Sequence, residues 1–70
     1  MPKIDIELPS HVTDDEAKKI KEVLEKQLND KWEIFKYNAQ EFFRSLRSLL
    51  GSIWDKIASW ARRVWEHLFG

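Results

Sequence analysis

Residues 46 to 69 constrain the fold more than any other stretch, because apolar pattern, aromatic content and charge placement agree there. At about 100° per residue, Leu46, Leu49, Leu50, Ile53, Trp54, Ile57, Trp60, Ala61, Val64, Trp65 and Leu68 fall on one half of a helical circumference. Ser48, Ser52, Asp55, Ser59, Arg62, Arg63 and Glu66 fall on the other half. An apolar face this wide, carrying three tryptophans, is driven out of water. It must be covered by the rest of the chain, another copy, a partner or a lipid surface. The spacing predicts an amphipathic helix over 52–68, with a packing and self-association seam of Leu46, Leu50, Ile53, Trp54, Ile57, Trp60, Val64 and Leu68.

Length makes that burial necessary. The chain has 70 residues, near the lower limit for independent folding, where only about 60% of the unfolded surface is buried. Cysteine is absent, so disulfides, thiolate metal sites and thiol catalysis are all excluded. Nine aromatic residues remain as the source of a core, and every one of them lies after residue 31. Charge divides at the same place. Residues 1–35 carry a net −3 and residues 36–70 a net +3, with all four arginines in the second half. Overall neutrality argues against general polyanion binding, while the split suits antiparallel packing of one half on the other.

Residues 3–8 alternate strictly, with Ile4, Ile6 and Leu8 on one face and Lys3, Asp5 and Glu7 on the other. That is the period of a half-buried strand, ended by Pro9. No second alternating run exists to pair with it. Ile4, Ile6 and Leu8 are therefore candidates for strand pairing with another copy or with the sheet edge of a different protein. The alternative is an extended arm whose aliphatic side chains pack across the helices.

Thr13, Asp14, Asp15 and Glu16 form a helix start with a capping box and acidic residues at the positive end of the dipole. The acidic triplet lacks further ligands at helical spacing, so capping is its expected role rather than metal binding. The helix turns Ala17, Ile20, Val23, Leu24 and Leu28 inward. Asn29 and Asp30 followed by Glu33 form a second capping signal, yet the apolar stripe keeps its phase through Trp32, Phe35, Ala39, Phe42, Phe43 and Leu46. Continuity from 13 to 49, kinked or broken near 29–30, is the expectation. Gly51, with Ser52 and Asp55 as a third capping signal, marks the best turn. A single uninterrupted helix is also open, since one glycine costs only about 1 kcal/mol, but it would need an oligomer.

The expected fold is mainly α: a short N-terminal strand or arm (1–12), a long helix or two (13–49), and an amphipathic aromatic helix (52–68). Together they would form a helical hairpin or three-helix bundle within one small domain, completed by self-association. Ile34 and Tyr37 fall off the stripe, and Trp65 lies at its edge. These three are the candidate partner contacts.

Chemistry finds little support. His11 and His67 lie at opposite ends of the pattern with no metal-ligand spacing. Ser45, Ser48, Ser52 and Ser59 lie on or beside the polar faces of helical segments, without a base in register or an oxyanion hole. Glycine-rich phosphate loops are absent. No enzyme activity, cofactor, metal or small-molecule substrate is expected. Nucleic acid binding would need exposed rings beside a basic groove, whereas here the rings and arginines take opposite faces. The order strand, helix, helix over about the first fifty residues resembles that of ribbon-helix-helix DNA-binding antitoxins, without a specific motif. The resemblance implies a paired strand in the major groove, where Asp5 and Glu7 would face the phosphates.

The apolar runs are at most two residues long, against the roughly 20 needed to span a bilayer, and no signal peptide is visible. A cytoplasmic protein is expected. Peripheral membrane-surface binding is the main rival, because Trp54 and Trp65 edge the apolar face while Lys56, Arg62 and Arg63 flank the polar one. Binary patterning, repeated capping signals and missing cysteine would also suit a designed helical protein. The functional expectation is a non-enzymatic assembly or protein-binding module, a homo-oligomer or one half of a complex.

Overall fold

A computed structural model describes residues 6–70 and contains three helices: α1 (Asp14–Tyr37), α2 (Ala39–Leu50) and α3 (Ser52–Phe69). An arm over residues 6–12 precedes them. α1 begins on a capping box, the Thr13 hydroxyl accepting from the Glu16 N–H at 3.1 Å while a Glu16 carboxylate oxygen accepts from the Thr13 N–H at 2.9 Å. Its inward residues Ile20, Leu24, Leu28 and Phe35 are buried.

The long helix is kinked beside the expected position, 29–30, and broken only further on. At Lys31 the backbone takes φ −129° and ψ 27°, which kinks α1 without ending it. The helix ends eight positions beyond that signal, at Asn38, so no single helix runs from 13 to 49. Asn38 adopts extended φ/ψ and serves both neighbours. Its N–H donates to the Phe35 carbonyl at 3.3 Å and its side-chain Oδ1 accepts from the Glu41 N–H at 3.2 Å, closing α1 and opening α2.

α2 ends where glycine was expected to end it. Gly51 has φ 58° and ψ −126°, conformations that L side chains rarely adopt, and its N–H donates to the Arg47 carbonyl at 3.0 Å. Ser52 does not cap α3, contrary to its capping-like spacing from Asp55. It is the first helical residue, and no side-chain cap is present at that end.

The helices run up, down and up. Near their starts, Lys56 of α3 meets Glu16 of α1; at their ends, Phe69 packs on Trp32 with ring centroids 4.5 Å apart. α2 packs closely against both neighbours, and α1 and α3 approach each other less closely. The core is formed by the α1 residues above with Phe42, Leu46, Leu50, Ile57, Trp60, Ala61 and Val64. Phe35 and Phe42 meet edge to face across the Asn38 joint at 5.2 Å, a geometry favoured by the ring quadrupoles.

Among the described residues there is no strand. Ile6 and Leu8 belong instead to an irregular arm and pack, with Val12, against the helical core. Ile4 lies outside the described residues.

Candidate functional site

The seam residues are covered by the chain itself. Leu46, Leu50, Ile57, Trp60 and Val64 are buried, and Ile53, Trp54 and Leu68 pack half-buried against them. Covering this face does not require a second copy. Its polar atoms are also matched: the Trp60 Nε1–H donates to the Glu7 carbonyl at 2.7 Å, and no buried side-chain nitrogen or oxygen among the described residues lacks a partner.

Trp65 differs from its expected role as an exposed contact. It is half-buried, its ring lies 5.6 Å from Phe69, and its Nε1–H donates to the Phe35 carbonyl at 2.8 Å. The last carbonyls of a helix have no intrahelical partner, and Phe35 is in the last turn of α1. Trp65 is thus held by the end of α1. Trp54, on the same flank of α3, rests against Phe43 with centroids 6.2 Å apart.

Three large apolar side chains among the described residues stay in solvent: Ile34 at 52%, Tyr37 at 77% and Leu49 at 46% exposure. Ile34 and Tyr37, three apart on the last turns of α1, are neighbours on its surface. The Lys36 ammonium sits 5.3 Å from the Tyr37 ring centroid, within cation–π range. Leu49 belongs to α2 and borders a shallow groove shared with α1, lined also by Gln27, Lys31, Glu41, Arg44 and Ser45. Sequence pattern had placed Leu49 on the apolar half. It escapes burial because α2 buries a narrower stripe, through Phe42, Leu46 and Leu50.

A polar clasp joins the helix starts, and no sequence motif signalled it. Lys56 Nζ donates to both Glu16 carboxylate oxygens, at 3.0 and 2.8 Å. Those hydrogen bonds, then the capping bond from the Thr13 N–H, hold the Glu16 carboxyl below its ordinary range. The His11 Nε2 lies 2.7 Å from the Lys56 carbonyl, which can only accept, so the ring carries its proton on Nε2. Two further ion pairs among the described residues, Lys26 with Asp30 at 3.3 Å and Arg44 with Glu41 at 3.9 Å, are solvent-exposed and contribute little.

Among the described residues no group of three or more His, Asp or Glu is arranged to hold a metal ion, and no helix is long and apolar enough to cross a membrane. No protein-family model, curated protein or solved structure matches the chain.

Proposed function

We propose that this chain is a non-enzymatic helical binding module that contacts another protein through the outer face of α1 and α2, around Ile34, Tyr37 and Leu49. The observation that carries this reading is the contrast between two apolar surfaces. The wide aromatic face of α3 is covered within the chain, whereas these three side chains keep about half or more of their surface in water. Tyrosine is among the usual anchors of protein interfaces, and apolar neighbours that exclude water surround such anchors. The peripheral membrane alternative is less well supported, because it needs a free apolar face on α3 and that face is occupied.

The test is photo-crosslinking. Benzoylphenylalanine is placed at position 37, with positions 21 and 59 as exposed controls on other surfaces. A discrete protein adduct at position 37, absent at the controls and abolished by Ile34→Ser with Leu49→Ser, is the expected result. Equal labelling at all three positions, or none at position 37, would refute the reading.

A further inference from the structure

We infer that the outer face of α2 carries a binding notch for a phosphotyrosine side chain, built from Gln40, Phe43, Arg44 and Arg47. The inference extends the protein-binding reading but does not rest on the contact role of Ile34, Tyr37 and Leu49.

These four residues line one notch of about 170 Å³. Their spacing brings them together, because positions 40, 44 and 47 follow one another at i, i+4 and i+7 along one face of a helix, with 43 beside them. α2 turns Phe42, Leu46 and Leu50 into the core, which leaves Gln40, Arg44 and Arg47 exposed. Phe43 lies between those two faces and is half-buried. Its ring meets Phe42 edge to face at 5.6 Å and rests against Trp54 of α3 at 6.2 Å, so it forms a fixed apolar wall to the notch.

Charge and size narrow what the notch takes. No acidic residue lines it. Among the described residues Arg47 has no ion pair, and Arg44 reaches only Glu41, at 3.9 Å in solvent, a contact too weak to hold it against a better anion. A carboxylate is satisfied by one guanidinium. A phosphate monoester carries close to two negative charges and three acceptor oxygens at neutral pH, and so matches the pair. Clefts that enclose a whole cofactor or nucleotide run to about 300 Å³ and more, so this one holds a side-chain head rather than such a molecule. The aromatic stem follows from Phe43: a phosphoserine leaves that wall uncovered, whereas a phosphotyrosine lays its own ring against it.

The experiment titrates the full chain with N-acetyl-phosphotyrosine-amide at about pH 7.5, where the phosphate is mostly dianionic. NMR shifts of the arginine Nε–H and Gln40 side-chain amide signals report binding. Inorganic phosphate and N-acetyl-tyrosine-amide are the comparison ligands, each supplying one half of the recognition. The titration is repeated on Arg44→Gln with Arg47→Gln, and on Arg62→Gln with Arg63→Gln, which removes the same charge from exposed positions on α3. The expected result is saturation at about 1 mM or below, about fivefold or more tighter than inorganic phosphate, with none by the tyrosine amide. Affinity should fall about tenfold or more in the α2 variant and less than about twofold in the α3 variant. Failure to saturate, inorganic phosphate or the tyrosine amide binding as tightly, or equal losses in the two variants would overturn the proposal. The crosslinking result at position 37 is read independently of this one.

Discussion

Trp60 separates ring packing from hydrogen bonding at the centre of the structure, and two substitutions resolve them. The side chain is 2% exposed and its only polar atom is matched by the Glu7 carbonyl. Trp60→Ala removes the ring and leaves a cavity beneath the arm, a change that costs about 3–5 kcal/mol in packed cores. A chain of this length holds roughly 4–10 kcal/mol of stability in total, from about 0.05–0.15 kcal/mol per residue, so about a third or more would be lost. Trp60→Phe keeps most of the apolar ring and removes the donor. Glu7 is exposed, so its carbonyl returns to water, and the loss is the hydrogen bond, about 1 kcal/mol, plus a smaller packing defect. Urea unfolding followed by circular dichroism measures both. A difference of 1 kcal/mol corresponds to about 4–8 °C in melting temperature at this size. If Trp60→Ala cost less than about 1 kcal/mol, the packed seam would be refuted. If Trp60→Phe cost as much as Trp60→Ala, the hydrogen bond to the arm would outweigh the ring.

Asn38→Ala should cost about 1 kcal/mol, within the 0.5–2 kcal/mol range of lost N-caps, read as a shift of the urea midpoint without a change of slope. Gly51→Ala should cost about 1–3 kcal/mol from backbone strain alone, because an added Cβ would meet nothing within 4 Å while φ stays at +58°. An unchanged melting curve would show that the α2–α3 joint relaxes to another conformation. The lowered Glu16 pKa gives a pH signature. The ion pair's contribution is fully present above the ordinary carboxyl value of 4.5 and is lost as pH falls through the lower folded value. Melting temperatures of wild type and Lys56→Met should therefore differ at neutral pH and converge in acid. A difference independent of pH would remove Glu16 from the explanation.

The helical class, the Thr13 start and the turn at Gly51 were legible in the chain because each rests on local chemistry: a capping box, a periodic stripe, a glycine at positive φ. The joint at Asn38 was not. Phe35, Ala39 and Phe42 keep helical spacing across it, and apolar periodicity cannot distinguish a straight helix from a tight reversal in which both arms turn the same stripe inward. Asn38 with Glu41 repeats the pattern of Asn29 or Asp30 with Glu33, and nothing local decides which ends a helix. Trp65 was picked from its place at the edge of the stripe, which does not show that the Phe35 carbonyl near the end of α1 takes up its indole. Ile34 and Tyr37 were picked from their departure from the stripe, and both stand exposed. Leu49 was missed because a half-circumference stripe overstates what a twelve-residue helix buries.

The two joints, Asn38 and Gly51, are one residue each, and this sets the order of events in folding. Helices joined with so little slack find their neighbours with little loop-closure entropy, and such local topologies fold in microseconds to milliseconds. The arm is the exception, since its contacts to α3 join residues 53 and 45 positions apart. Those contacts form only once α3 is in place beside the start of α1. The arm is therefore the last segment to reach its place and the first to leave it, and unfolding should begin where Glu7 releases the Trp60 indole.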